Sequence, residues 1–224
     1  LYIRPFIFGS SEWIKASSSD EFTFMIITSP TINYYPGSID LVIEQHFSRA
    51  TNGGVGYAKA AGNYAGSFYP TKRANERGFT QVIWTDSKEH KYIEESGTMN
   101  IWFRIDNKLI TPSLSDSILG GITRDSILKL AIDAGIDVEE RIVSVAEILE
   151  ASKNGTLQEA FGTGTAVTVV AVKSITLEDI KMNIPTQENP MSMRFKKQLQ
   201  DLQYGRSEDI FNWISKVTSS ITIF

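Results

Sequence analysis

The 224 residues contain no cysteine. That excludes a disulfide framework, a thiol nucleophile and any cysteine-ligated zinc or iron–sulfur site, and it suits a reducing cytoplasm. Histidine is nearly absent too. His46 and His90 are far apart in sequence, so a histidine-rich metal site is not expected, and each is read as a surface or supporting residue. No apolar run approaches the length that crosses a bilayer, and Arg4 and Pro5 interrupt a start where a signal peptide would be smoothly apolar, so no membrane partner and no export are expected. Basic charge is not in excess. A net charge of -4 gives no positive field for a phosphate backbone, so nucleic acid is not an expected partner. There is also no initial methionine. Leu1-Tyr2-Ile3-Arg4-Pro5-Phe6-Ile7-Phe8 reads as a strand already under way, from which a preceding N-terminal portion is expected. What remains is a 42% apolar chain with scattered charge, enough for one good core or for one domain plus a fragment of another.

The chain is organised around Asn52-Gly53-Gly54-Val55-Gly56-Tyr57-Ala58-Lys59-Ala60-Ala61-Gly62-Asn63-Tyr64. Glycines before Lys59 let the backbone turn tightly and approach whatever the lysine reaches. A lysine among small residues is a candidate amine nucleophile, because desolvation or a neighbouring cation favours the neutral, attacking form. An exposed loop lysine is the ordinary alternative.

Upstream, Tyr2 to Phe8 and Phe22 to Thr28 are aromatic and β-branched, separated by Ser17-Ser18-Ser19-Asp20, and read as two strands and a loop. Pro5 requires a sheet edge or bulge. Arg4 needs an anionic partner if it points inward. Tyr34-Tyr35-Pro36-Gly37 marks a boundary, giving domains 1–36 and 37–224. Downstream of Asn63 the pattern is helical to Arg77 and stopped by Gly78, then a strand runs from Phe79 to Trp84. Glu94-Glu95-Ser96-Gly97 leads into an alternating strand from Thr98, and Asp106-Asn107 turns it into a hairpin with Lys108 to Thr111. Taken alone, Glu94 and Glu95 read as a solvated acidic pair, although a carboxylate there could also hold a protonated ring nitrogen.

Two segments read as anion cradles. Leu119-Gly120-Gly121-Ile122-Thr123-Arg124 opens a helix ended by Gly135, leaving the amides of Ile122 and Thr123 free for phosphate, unless Thr123 is a plain N-cap. Phe161-Gly162-Thr163-Gly164-Thr165-Ala166 reads as a loop before an apolar strand, Val167 to Val172, and offers amides and hydroxyls to a second anion. Between them Ser144-Val145-Ala146-Glu147 is a capping box whose helix ends near Asn154-Gly155. A last helix runs from Pro190 in its first turn, with Met191, Phe195, Leu199 and Leu202 on its core face and Gly205 beyond it. Residues 218–224 carry no readable signal.

Together, Ala61-Gly62-Asn63-Tyr64 after the lysine, Glu95-Ser96-Gly97-Thr98-Met99-Asn100 and Gly162-Thr163-Gly164-Thr165-Ala166 resemble, in order, the branched-chain amino acid aminotransferases of pyridoxal-phosphate fold type IV. The resemblance extends over nearly the whole chain. It implies an α+β (mixed α/β) architecture: a large cofactor-binding domain, a pseudo-barrel of strands with flanking helices, preceded by the C-terminal remnant of the family's small domain. It implies a cytoplasmic homodimer with pyridoxal 5'-phosphate as cofactor and no metal, exchanging amino groups among leucine, isoleucine or valine, glutamate and their 2-oxo acids in branched-chain amino acid biosynthesis.

By that resemblance Lys59 forms the Schiff base and carries the proton between Cα and the cofactor. Tyr64 hydrogen-bonds the phenolic oxygen, Glu95 pairs with the pyridinium nitrogen, and Ile122, Thr123 and Thr165 hold the phosphate. The substrate side is implied to be Tyr2, Arg4, Tyr64 and Thr98, with the amides of Thr165 and Ala166 on the α-carboxylate. Val167 and Val170 stand where mammalian relatives have a Cys-x-x-Cys pair, so that thiol regulation is excluded. D-amino acid aminotransferases and aminodeoxychorismate lyases share the lysine and the glutamate and are the alternative within the fold. A non-catalytic, truncated domain is the alternative outside it.

Overall fold

The computed structural model describes residues 1–31 and 35–216. The chain divides into two compact units, Leu1–Pro36 and Gly37–Phe224. Tyr34 of the boundary motif and residues 218–224 lie outside the described residues.

In the first unit β1 (Tyr2–Gly9) pairs antiparallel with β2 (Phe22–Ser29), from Tyr2 opposite Ser29 to Gly9 opposite Phe22. The aromatic and β-branched composition suits a pleated ribbon. Pro5 stands opposite Ile26, and because both strands are edges a residue without an amide proton is tolerated. Serines tie the connection: Ser11 Oγ lies 2.7 Å from Ser19 Oγ and accepts from the amides of Asp20 and Glu21. Arg4 is exposed, so its charge is met by water and no anionic partner is required. Its Nη2 donates to the Tyr2 hydroxyl at 2.6 Å, and its guanidinium lies 5.1 Å from the centre of the Tyr2 ring.

The second unit contains, in chain order, β3 (Ile39–Ile43), α1 (Ala61–Glu76), β4 (Gln81–Thr85), β5 (Ile93–Ser96), β6 (Asn100–Ile105), β7 (Lys108–Pro112), α2 (Ile122–Asp133), β8 (Val138–Arg141), α3 (Val145–Lys153), β9 (Leu157–Gly164), β10 (Thr168–Leu177), β11 (Ile180–Asn183) and α4 (Met191–Gln203). Among its described residues nine strands form one sheet in the order β5-β4-β3-β10-β9-β6-β7-β8, with β11 on β10. β3 runs parallel to β4 and β10, and β7 parallel to β8; the other pairings are antiparallel. β5 begins the path yet also packs against β6 and β7, so the sheet curls back on itself. This curled sheet with flanking helices is the mixed α/β architecture expected.

One buried apolar cluster lies where α2 and α4 cover the sheet. Trp102 and Phe161 stack at 6.0 Å on adjacent strands, with Phe195 at 6.3 Å from Phe161. α2 brings Ile127, Leu130 and Ala131 to this core, and α4 brings Phe195, Leu199 and Leu202. These residues recur at helical spacing, and each large apolar side chain so buried contributes ~1.5–3 kcal/mol. α1 covers β3 and β4 through Ala74 against Val42, Val82 and Trp84. α1 starts at Ala61 rather than after Asn63, and contains Pro70, which removes one helical hydrogen bond. Gly78 follows its end with a φ of +88°, a conformation open to glycine.

The helix ends show how local signals are completed or replaced by distant ones. Ser144 Oγ accepts from the Glu147 amide at 3.1 Å, as a capping box requires, but the Glu147 carboxylate turns to Arg141 instead of closing the box. Pro190 is the N-cap of α4 rather than a first-turn residue and supplies no capping hydrogen bond. The capping acceptor is Glu159 of β9, which accepts from the amides of Met191 and Ser192 at 2.9 and 3.2 Å and from Ser192 Oγ at 3.2 Å, while Arg104 Nη1 lies 3.3 Å away. A buried carboxylate is stable at a helix N-terminus because unpaired amides and the helix dipole both favour negative charge. No helix among the described residues is long and apolar enough to cross a membrane.

Candidate active site

Lys59 sits in the short link between the glycine-rich turn and α1. Asn63, in the first turn of α1, pins that link by donating from Nδ2 to the carbonyls of Val55 and Ala58 at 2.9 and 3.0 Å. With the turn held, Lys59 Nζ donates to the Tyr64 hydroxyl at 2.8 Å. Gly56 is required by close packing: a Cβ there would meet Ala50 Cβ at 2.5 Å and Ser117 Cα at 2.6 Å.

Glu95 projects from β5 and is 3% exposed. Its Oε1 accepts the Leu119 amide at 2.6 Å, and its Oε2 lies 3.0 Å from Arg49 Nε, a close ion pair that is not aligned as a hydrogen bond. Burial pushes the Glu95 carboxyl up to about 7, against the opposing effects of the Arg49 charge and the Leu119 amide; Glu94 adds to the rise and Lys59 works against it. Glu94 is partly buried and accepts from Ser117 Oγ; burial raises its carboxyl also, opposed by that hydroxyl and by Arg49. The solvated pair read from the sequence is thus corrected: both carboxylates lie under the Ser115–Leu119 turn. No local signal distinguishes this, because the cover comes from more than twenty residues away.

A cavity of about 210 Å³ brings Lys59, Glu95, Thr98, Ile122, Thr123 and Thr165 together. Tyr64 lines an adjoining pocket with Arg49, Glu95 and Thr98. Ala166 stands beside Thr165 in the turn and is not part of the cavity lining. Tyr2 and Arg4 belong to the first unit. A more open groove of about 370 Å³ between β3 and α1, beside Arg73, Arg77 and Glu178, contains none of the candidate residues. The smaller cavity is therefore the candidate site.

The first cradle keeps its expected free amides and loses only the alternative cap, whereas the second differs from its sequence reading. Gly121, not Thr123, is the N-cap of α2 and has no side chain to cap it, so Ile122 and Thr123 form the first turn with the amide end of the helix open to the cavity. Asn100 explains the glycine: its Nδ2 donates to the Leu119 carbonyl at 2.8 Å, and its Oδ1 fills the place of a Cβ on residue 121. Gly162, Thr163 and Gly164 are not a loop but the end of β9. Only Thr165 to Val167 turn, and β10 begins at Thr168. Within the strand, Gly162 admits the Met99 sulfur and Thr163 Oγ1 accepts from Trp102 Nε1 at 3.1 Å.

This arrangement sets an amine, a buried carboxylate with a raised pKa and an uncapped helix N-terminus around one space. It fits a phosphorylated ligand carrying a cationic ring nitrogen. Sequence reading missed Arg49, an unremarked cation ten residues before Lys59, and assigned no role to Asn63 or Asn100, although both lie in the quoted motifs. Among the described residues no group of three histidine, aspartate or glutamate side chains could hold a metal ion.

The family profile described as amino-transferase class IV matches residues 1–175. Branched-chain-amino-acid transaminase 1 of Bacillus subtilis is 40% identical over 222 residues, which is 97% of this chain and 62% of the relative. A probable branched-chain-amino-acid aminotransferase of Staphylococcus epidermidis is 42% identical over 218 residues, 95% of this chain and 61% of the relative. A solved branched-chain amino acid aminotransferase from Escherichia coli matches with a TM-score of 0.73 at 30% identity, over 96% of this chain and 68% of that one. The chain thus spans about three-fifths of the length of the curated relatives it matches.

Proposed function

This chain belongs to the class IV aminotransferases, and we propose that its cavity binds pyridoxal 5'-phosphate and serves reversible amino transfer between leucine, isoleucine or valine and 2-oxoglutarate. The observation that carries the reading is the placement of Lys59 and Glu95 on one cavity with the open N-terminus of α2. The first-turn amides of Ile122 and Thr123, with Thr165, would hold the phosphate. Glu95 would keep the ring nitrogen protonated, because burial disfavours its lone negative charge and a cation beside it is stabilised in return. When bound, the cofactor supplies an electron sink for the pair left at a substrate Cα that loses its proton.

Lys59 takes up and returns that proton. Its hydrogen bond to Tyr64 keeps the amine directed into the site, and the Asn63 clamp fixes the link that carries it. The amides of Thr165 and Ala166 would take the α-carboxylate, and Thr98 would border the reacting carbon. For Tyr2 and Arg4 the proposal rests on the resemblance alone. We place the protein in the cytoplasm as a homodimer, acting in branched-chain amino acid biosynthesis.

The test is a visible spectrum after incubation with pyridoxal phosphate, followed by leucine and then 2-oxoglutarate, with Lys59→Ala alongside. A cofactor band that leucine bleaches and 2-oxoglutarate restores, absent from the variant, is expected. A band bleached by D-alanine but not by leucine would move the assignment to the D-amino acid enzymes; no band at any protein concentration would refute the reading.

A further inference from the structure

We propose that Arg49 is a positioning residue that fixes the ionised Glu95 carboxylate and thereby the hold on the cofactor ring nitrogen. This rests on the assignment of Glu95 to that nitrogen.

Arg49 and Glu95 are both buried, with side chains 9% and 4% exposed and Nε 3.0 Å from Oε2. The same guanidinium donates from Nη2 to the Gly56 carbonyl at 3.0 Å and to the Ser117 carbonyl. One side chain therefore joins the turn before Lys59, the strand carrying Glu95 and the turn leading to the Gly120-Gly121 cradle. The planar fork of arginine can meet a carboxylate and two carbonyls at once, whereas a lysine ammonium is a point charge on a flexible stem. Close packing of Gly56 against Ser117 keeps the two accepting carbonyls near one another.

The charge count gives this arrangement its consequence. The charged groups acting on Glu95 are Arg49, Glu94 and Lys59, and those acting on Glu94 include Arg49 and Asp86. Arg49 is the one cation that acts on both carboxylates, and with Lys59 it faces Glu94, Glu95 and Asp86, two positive charges against three negative, a balance that a protonated ring nitrogen beside Glu95 would even. Without Arg49 both carboxylates lack their buried cation, and Glu95, already pushed up to about 7 with Arg49 in place, rises further and keeps its proton through and above neutral pH. A protonated Glu95 cannot act as counter-ion, so the ring nitrogen is no longer held in its charged form.

Arg49→Gln, Arg49→Lys and Glu95→Gln would be compared in the 224-residue chain. Carboxyl carbon NMR of the cofactor-free protein, with the Glu95 signal identified by its loss in Glu95→Gln, reads the ionisation midpoint. Spectrophotometric titration with pyridoxal phosphate reads affinity, and the urea midpoint checks folding. Arg49→Gln should raise the Glu95 midpoint by about one pH unit or more and weaken cofactor affinity by about tenfold or more above neutral pH. Arg49→Lys should fall between this variant and the wild type, since it keeps the charge and loses the fork.

A folded Arg49→Gln protein with unchanged midpoint and affinity overturns the inference. So does an Arg49→Lys midpoint equal to that of Arg49→Gln, because charge would then play no part. If Arg49→Gln does not fold, Arg49→Lys decides, and no change in either of its readings overturns the role. A wild-type chain that shows the Glu95 shift but never binds pyridoxal phosphate sinks the proposed function while leaving the Arg49–Glu95 link standing.

Discussion

Glu95 should make the cofactor-free protein less stable as pH rises, the reverse of ordinary salt-bridged carboxylates. The perturbation is a change of pH across the window between the ordinary glutamate value of 4.5 and the folded value of about 7. Within it the unfolded chain has lost the Glu95 proton and the folded protein retains it, so the folded state binds more protons and the free energy of unfolding falls with pH. The contribution is fully present below 4.5 and is lost as pH rises through about 7. At ~1.4 kcal/mol per pH unit the whole window is worth about 3 kcal/mol. Urea unfolding of the wild type and of Glu95→Gln at pH 5 and pH 8 measures it. Glu94 titrates in both proteins and is coupled to Glu95, so the difference between their pH dependences reads Glu95 together with its effect on Glu94. The wild type should lose about 3 kcal/mol more than the variant, and saturating pyridoxal phosphate should flatten that loss by setting a cation beside the carboxylate. Equal pH dependence in the two cofactor-free proteins would refute the argument.

Three further outcomes follow from named contacts. Gly121→Ala drives a Cβ into Asn100 Oδ1 and should weaken pyridoxal phosphate binding by about tenfold, equivalent to ~1.4 kcal/mol, with little change in the urea midpoint; an unchanged dissociation constant would show that the α2 N-terminus does not hold the phosphate. Glu159→Gln replaces the buried anion that caps α4 and pairs with Arg104, and should cost about 2–4 kcal/mol in urea unfolding, whereas a loss under about 1 kcal/mol would mean that solvent already satisfies that helix end. For Asp86, burial alone would raise the carboxyl, yet the amides of Tyr92, Glu89, Lys91 and Lys88 outweigh it and hold the carboxyl below its ordinary 3.8. The stabilisation is present above 3.8 and disappears as pH falls through the lower folded value, so Asp86→Asn should lower the urea midpoint at pH 7 and converge on the wild type in acid, a convergence that absorbance or circular dichroism melts can test.

Much of the site was legible because its chemistry is carried by short motifs. The glycines, Lys59 and Tyr64 fall within one window, and Asn63 acts within it, its amide reaching only eight and five residues back to Val55 and Ala58. Such contacts survive as a pattern in the chain. Ser144 with Glu147, the period of Phe195, Leu199 and Leu202, and the turn at Asp106-Asn107 were readable for the same reason.

The sequence by itself determined the four helices, the hairpin at Asp106-Asn107 and the lysine-centred motif, all of which depend on dihedral preference and local spacing; the strand character of Gly162 to Gly164 came only with its pairing to β6 and β10. Tertiary structure alone decided which of those residues share a space and which charges are buried. Nothing in Glu94-Glu95 distinguishes a solvated pair from a buried one; Arg49 and the Leu119 amide do, reaching β5 from 46 residues before Glu95 and 24 residues after it. Thr123 looked like a cap until Asn100 and the Gly121 turn set the start of α2, and the cap of α4 comes from Glu159 on β9. The reason is physical: propensity is a property of neighbours in sequence, whereas desolvation and charge pairing depend on every group within a few ångströms, and the curl of the sheet chooses those groups.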